Sequence, residues 1–365
     1  MVEWKKLGEV CEVQRGKRIT KGDLIENGLY PVISGGVTPM GYIDSFNREP
    51  NTITVSQYGT AGYVDFQLSR FWANDICYCV YPNKDLNNKY LWYVLKNKQN
   101  LLYEIRNTDA VPYSLPIDKL NSVSIPIPSL SEQNRIVGIL DTFTASIDNL
   151  KEQIAQRRKQ YEYYRDELLD LEGKEGAEIA PLRRIVKSYC TGATPNKGHL
   201  EYYESGTIPW LRTQDVKFNE IYEIDSFVTE EAVAKTGVKW IPANCVIVAI
   251  SGATAGRCAI NKIPTTTNQH CLNLEINPKK ALYKYVYYCV YNAYSDMISK
   301  KQGARGDLNS SIILGITIPV PSLSEQQRIV SILDTFEASI QNLEAQLSQR
   351  EKQYEFYRNI LLSFE

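Results

Sequence analysis

Residues 125–169 read IPIPSLSEQNRIVGILDTFTASIDNLKEQIAQRRKQYEYYRDELL, and residues 318–362 read IPVPSLSEQQRIVSILDTFEASIQNLEAQLSQREKQYEFYRNILL. About 32 of 45 aligned positions are identical, at an offset of about 193 residues. Chance does not produce such a pair, so the chain carries one segment twice. Each copy reads as a single long helix. Pro126 and Pro128, and Pro319 and Pro321, hold the chain extended just before it. Ser129 with Glu132, and Ser322 with Glu325, have the spacing of a capping box.

Apolar residues then recur at steps of four and three. The first copy places Ile136, Leu140, Phe143, Ile147, Leu150 and Ile154 on one stripe, continued by Tyr161, Tyr164 and Leu168. The second places Ile329, Leu333, Phe336, Ile340, Leu343 and Leu347 there, continued by Tyr354, Tyr357 and Leu361. A sustained heptad stripe predicts that the helices pair as a coiled coil through these residues. At ~1.5 Å per residue each helix spans roughly 60 Å. Arg157 and Arg350 interrupt the stripe at the same repeat position. A charge there either finds a partner and fixes register, or extends along the seam to water.

Before each helix lies a longer, diverged segment. GTAGYV at 59–64 answers ATAGRCAI at 253–260. NDICYCVYPN at 74–83 answers NQHCLNLEIN at 268–277, and YLWYVL at 90–95 answers YVYYCV at 285–290. The two segments therefore share a fold and differ in surface. Short β-rich runs such as Thr52–Ser56 and Cys245–Ile250 are punctuated by Gly, Pro and Asn, and tyrosine-rich helices are expected near Lys89–Leu102 and Leu282–Ile298. Each half reads as α+β. The expected boundaries are a domain at 1–124, a helix at 125–171, a polar linker at 172–179, a second domain at 180–317 and a second helix at 318–365.

Net charge is -1, so the whole chain does not announce a polyanion binder. Its distribution says more. Lys+Arg minus Asp+Glu is about +1 for 1–124 and about +5 for 180–317, against about -4 for 125–179 and -3 for 318–365. Any phosphate contact belongs to the domains and not to the helices.

Eight cysteines form no CxxC pattern, and only His199 and His270 are available as further ligands. The His270–Cys271 pair lies in an apolar run and reads as a buried structural strand, so no metal site is expected. The chain shows no secretory leader after Trp4, Lys5 and Lys6 and no apolar run of membrane-spanning length. With free thiols, this predicts a cytoplasmic protein. No P-loop, no GxGxxG after a strand and no amino-methyltransferase tetrapeptide occur, and Asp215–Lys217 stands without a nuclease-like partner set. No catalytic residue is expected.

Two variable domains, each followed by a copy of one helix opening P-S-L-S-E-Q-x-R-I-V, resemble the specificity subunit of type I restriction-modification systems. The resemblance covers the whole chain. It includes both Ser-Glu-Gln-x-Arg-Ile-Val segments (131–137 and 324–330), YPVISGG at 30–36 and GATPNKGHLEYYESGTIPWLRTQDV at 192–216. It implies two target recognition domains related by a pseudo-twofold and separated by an antiparallel pair of long helices. It implies that each domain reads one half of a bipartite, asymmetric site in double-stranded DNA. It further implies that two modification (methyltransferase) subunits dock on the frame and that restriction/translocase subunits join them. S-adenosylmethionine, Mg²⁺ and ATP would belong to those partners and not to this chain.

Base edges are read by Arg, Lys, Asn, Gln, Ser and Thr, and phosphates by basic and backbone groups. In the first domain these criteria select Lys17, Arg18, Ser34, Gln57, Tyr58 and Arg106. In the second they select Lys197, Arg212, Thr213, Ser251, Thr254, Arg257 and Arg305, the last in the basic Gly-containing run KKQGARGD. Tyrosines at helical spacing, such as Tyr90 and Tyr93, are expected to be packing. Two other classes compete: a coiled-coil scaffold joining two protein-binding domains, and an enzyme with an unrecognised site. The first predicts no sequence preference on DNA. The second predicts cleavage or methylation by the isolated chain.

Overall fold

The computed structural model describes residues 2–109, 111–171, 173, 176–300 and 307–364. The chain forms two compact units. One holds Met1–Glu152 and Glu344–Glu365, and the other holds Gln153–Leu343.

In the first unit the strand Glu3–Lys6 pairs antiparallel with Ser124–Ile127, setting Trp4 opposite Pro126. The proline-containing run before the first long helix is thus a β-strand of a two-stranded sheet, where the missing prolyl N–H costs little. The domain core is an antiparallel four-stranded sheet in the order Cys11–Arg15, Cys77–Pro82, Thr52–Ser56, Val64–Gln67. Thr52–Ser56 is buried along its whole length, as a central strand should be. The small sheet Tyr42–Ile43, Tyr30–Ile33, Trp72–Ala73 completes the domain. Asn87 caps the short helix Asn88–Asn97 by accepting from the N–H groups of Lys89 and Tyr90. Its Tyr90, Leu91, Tyr93, Val94 and Leu95 are buried.

The first long helix runs Leu130–Leu169 and the second Leu323–Leu362, 40 residues each. The shared motif that opens them is explained by what its side chains touch. Ser129 Oγ accepts from the Glu132 N–H at 3.3 Å, and Ser322 does the same for Glu325 at 3.3 Å. Glu132 and Glu325 do not close the expected capping boxes. Their carboxylates instead grip Arg135 (2.8 and 2.7 Å) and Arg328 (2.8 and 2.7 Å), one turn on. Gln133 is fully buried: it accepts from the Asn87 N–H (2.7 Å) and donates to the carbonyls of Asp85 (3.2 Å) and Pro128 (2.9 Å). Gln326 repeats this with the Leu282 N–H (2.9 Å) and the carbonyls of Lys280 (3.3 Å) and Pro321 (2.9 Å). About two turns further, Asp141 takes Lys89 and the Tyr93 hydroxyl, as Asp334 takes Lys284 and the Tyr288 hydroxyl. Tyr90 and Tyr285 each donate to the carbonyl of the second proline before the helix, at 2.9 Å. These tyrosines are framework.

The second unit repeats the plan. Glu178–Pro181 pairs with Thr317–Val320 and takes up the last two residues of the stretch read as linker. The main sheet runs Val186–Thr191, Cys271–Ile276, Val246–Ala249, Cys258–Asn261, the same order as in the first unit, with Asn219–Ile221 added in parallel at the edge. Ile208–Leu211, Phe227–Val228 and Thr265–Thr267 match the small sheet, to which Trp240–Ile241 is added. Cys271 is buried at the start of its strand, but His270 lies in the preceding turn and is exposed. The expectation of a buried pair therefore holds for the cysteine alone.

Within each unit the two long helices run antiparallel. In the first, Phe143 stacks on Tyr357 (5.3 Å, 27°), and Lys151 pairs with Glu351. In the second, Phe336 stacks on Tyr164 (5.4 Å, 28°), and the Tyr161 hydroxyl donates to Glu337 at 3.1 Å. Arg350 lies 5.6 Å over Phe143, and Arg157 lies 5.7 Å over Phe336. Each seam arginine thus lies over the phenylalanine of the opposing helix in a cation–π contact and stays half-exposed, its charge still open to water. The expected stripe is not a uniform coiled-coil core. Ile136 and Leu140 pack into the first domain's own core, beside Leu362, and Ile329 and Leu333 into the second's. Ile147, Leu150 and Ile154 are buried, Leu343 and Leu347 are half-buried, and Tyr164 and Tyr357 are exposed.

One substitution between the copies has a titration consequence. Where the first helix has Thr144, the second has Glu337, and burial pushes its carboxyl above the usual carboxylate range. The folded state then retains a proton that the unfolded chain has released. Stability falls as pH rises from the ordinary carboxylate pKa through the raised one. Glu337→Gln removes this dependence. The variant is expected to melt higher than the native protein near about pH 8, with the gap closing toward about pH 4. Parallel melting midpoints across that range would refute the assignment.

Candidate nucleic-acid interface

In the first domain the strands Thr52–Ser56 and Val64–Gln67 are joined by a tight turn. The Ser56 N–H donates to the Tyr63 carbonyl (3.0 Å), and the Gly62 N–H donates to the Ser56 carbonyl (2.8 Å). Gly62 has φ +90, and a Cβ there would sit 2.9 Å from the Leu102 carbonyl oxygen, so only glycine fits. The second domain builds the same turn. The Gly256 N–H donates to the Ala249 carbonyl (2.8 Å) and the Arg257 N–H to the Thr254 carbonyl (2.9 Å), with Gly256 at φ +91 against the Tyr294 ring.

Further loops gather at this turn. Leu115 N–H donates to the Gln57 carbonyl (2.8 Å), and Tyr58 bridges to Ser114, which pairs with Asn107. Thr60 N–H donates to the Gly35 carbonyl (2.8 Å). Asn74 ties two more segments in. Its Oδ1 accepts from the Ile19 N–H (3.1 Å), and its Nδ2 donates to Ser34 Oγ (3.4 Å). Lys17 is anchored through its own backbone, donating to the Ala73 carbonyl (2.9 Å) and accepting from the Trp72 indole (2.8 Å). The fold therefore joins the segments carrying Lys17, Arg18, Ser34, Gln57, Tyr58 and Arg106 into one linked loop cluster.

These six residues are not equivalent. Lys17, Arg18 and Tyr58 are exposed and Arg106 is half-buried, whereas Ser34 and Gln57 are 8% and 7% exposed and serve the loop framework. Asn74, which organises the cluster, escaped the sequence reading. The echo of NDICYCVYPN in NQHCLNLEIN carried the signal: Asn268 occupies the matching turn, accepting from the His270 N–H through its side chain.

In the second domain Ile250 takes the place of Gln57, donating to the His270 carbonyl (2.9 Å) and accepting from Leu308 N–H (2.7 Å). Ser251, Thr254 and Arg257 follow on the same turn and are half-buried. Arg212 and Thr213 lie beside the Asn268 turn, which donates to the Leu211 carbonyl (3.0 Å). The Arg212 N–H is held by Asp215 (2.8 Å), and its guanidinium lies 6.0 Å over Trp210. Lys197 is exposed on the loop before Leu200–Tyr202. Arg305 lies outside the described residues. Arg212 and Arg257 each have a water-inaccessible Nε without a hydrogen-bond partner. Among the described residues no cluster of three or more His, Cys, Asp or Glu could hold a metal ion.

A family model described as the type I restriction modification DNA specificity domain matches residues 1–157 and again 175–351. The chain belongs to the family of type I restriction-modification specificity subunits. It is 32% identical over 388 residues to the EcoR124I/EcoR124II specificity subunit of Escherichia coli, covering 100% of this chain and 94% of the relative. It is 27% identical over 387 residues to a putative specificity subunit of Haemophilus influenzae, covering 100% and 96%. The crystal structure of a type I S subunit from M. genitalium superposes with TM-score 0.72 at 19% identity, covering 100% of this chain and 97% of the other, which establishes the shared fold. As a specificity subunit the chain is the non-catalytic, DNA-binding member of an assembly whose catalytic activities sit on partner subunits. No helix among the described residues is long and apolar enough to cross a membrane.

Gly62→Ala should cost about 1–3 kcal/mol, from the positive φ together with the clash on Leu102. Chemical denaturation of the variant measures it. An unchanged midpoint would mean that the turn tolerates a side chain and does not constrain the cluster.

Proposed function

We propose that each domain reads one half of a bipartite, asymmetric site in double-stranded DNA, and that the linked loop clusters carry the contacts. One observation supports this reading above the others. The two units repeat the same framework bonds while the side chains offered by corresponding loops differ. Gln57 and Tyr58 in the first turn stand against Ile250 and Ser251 in the second, and Arg257 has Tyr63 as its counterpart. Identical frames with different polar tips suit two readers of different sequence. Lys17, Arg18, Tyr58 and Arg106 are the contacts proposed for one half-site, and Lys197, Arg212, Thr213, Ser251, Thr254, Arg257 and Arg305 for the other. Ser34 and Gln57 act by shaping the loops.

Two modification subunits are proposed to dock on the long helices. Tyr163–Tyr164 on the first helix and Phe356–Tyr357 on the second hold the same place in the repeat and are 61%, 46%, 59% and 44% exposed. Such exposed aromatics on helices without a basic excess suit a protein partner better than DNA. Restriction/translocase subunits complete the assembly, and S-adenosylmethionine, Mg²⁺ and ATP are assigned to the partners. The eight free cysteines, seven of them buried, accord with a cytoplasmic assembly.

Arg212→Ala combined with Arg257→Ala should weaken discrimination at the second domain's half-site by about ten- to hundredfold or more, since a bidentate base contact is worth ~1–3 kcal/mol. Discrimination at the first half-site should remain. Binding of the assembled methyltransferase to duplexes mutated in either half measures both. Equal loss at both half-sites would contradict separate readers.

A further inference from the structure

Arg106 differs from the other arginines of its domain in having two rings against its guanidinium: Arg15 lies over one ring, that of Tyr78 (5.8 Å), and Arg18, like Arg106, makes no hydrogen bond or ion pair with a described residue. Arg48 donates to two backbone carbonyls and Arg70 pairs with Glu49. Arg106 makes no hydrogen bond or ion pair with any described residue. Its guanidinium instead lies 5.3 Å from the Tyr103 ring centroid and 4.7 Å from that of Tyr113. Tyr103 belongs to the short helix Gln99–Glu104, and Tyr113 returns on the segment that pairs Ser114 with Asn107. Two separate elements therefore bring rings to one cation. The Nε is inaccessible and has no partner, while the side chain as a whole is only half-buried.

We infer that Arg106 reads a guanine in the half-site bound by the first domain, with Tyr103 and Tyr113 holding its guanidinium in place. This rests on the proposed DNA-reading function and assigns the base. Immobilising a long side chain on binding normally costs affinity, and here the rings have already restricted it. The guanidinium carries parallel donors in a fixed fork, the geometry that fits O6 and N7 of guanine in the major groove. A phosphate contact would need only the charge. The missing acidic partner leaves the fork's donors uncommitted inside the loop cluster that also carries Tyr58.

The test uses the chain assembled with its own modification subunits, assayed by methylation of duplexes. In the native assembly, replacing one guanine of one half-site by 7-deazaguanine should lower methylation by about ten- to hundredfold. Arg106→Ala and Arg106→Lys should both lose discrimination at that one base pair, and 7-deazaguanine should then add no further loss. Discrimination at the other half-site should stay native, which also shows that each variant is folded and assembled. Three results would overturn the assignment. One is Arg106→Lys behaving as native. Another is uniform weakening across sequences with a shallower salt dependence, which marks a phosphate contact. The third is a first half-site in which no guanine responds. A native assembly that methylates no two-part site would count against the proposed function itself, independently of Arg106.

Discussion

A fully buried glutamine at the foot of each long helix fastens that helix to its domain. Gln133 and Gln326 each satisfy one backbone N–H and two carbonyls at places where secondary structure leaves them open. An apolar side chain of the same size would leave the buried carbonyl of Pro128 or Pro321 unpaired, at ~1–3 kcal/mol, and would release the two part-buried groups to water. The glutamine also sets direction. With the Asp141 and Asp334 clusters about two turns on, it holds the short tyrosine helix, and hence the sheet and its loops, at a fixed angle to the long helix. A reading loop can be no better placed than this joint.

The same joint explains how the two halves could diverge. The glutamine bonds that define it run from the repeated helix to backbone groups, which mutation of the domain surface leaves in place, and the aspartates meet a lysine and a tyrosine that both domains carry. Differences accumulate elsewhere. The second domain gains the strands Asn219–Ile221 and Trp240–Ile241 and the helix Glu230–Lys235 without altering the order of its main sheet. Where a difference reaches the helix itself, it brings new chemistry: Glu337 replaces Thr144 and must be accommodated by Tyr161. Burial raises the pKa of its carboxyl, a group that the first helix lacks at the matching position.

The repeat was legible in the sequence because identity at a fixed offset needs no physics to detect. The helices, their serine caps, the strand Thr52–Ser56 and the packing role of Tyr90 and Tyr93 followed from periodicity and turn chemistry. What was missed has a common cause. Glu132 and Glu325 fit a capping box by spacing, but an arginine three residues on offered a charged bidentate partner that the cap could not match. Arg157 and Arg350 stay half-exposed, in keeping with side chains that extend along the seam to water, and the phenylalanine faces they cross come from another part of the chain. Ser34 and Gln57 were selected because their residue types can read base edges, and the structure buries both. Their burial depends on Asn74 and on the 105–115 segment, which lie far away in sequence. Local pattern thus located the turns but could not tell which of their side chains are buried.

The central claim is that this chain gives its assembly a two-part DNA address, one part per domain. Long-read methylation sequencing of cells with and without the chain, its neighbouring subunits left intact, tests it most directly. The account predicts that methylation at a single split motif with two unlike halves disappears when the chain is removed and returns with it. A methylation pattern unchanged by its removal, or a lost motif that is unsplit or palindromic, would contradict it.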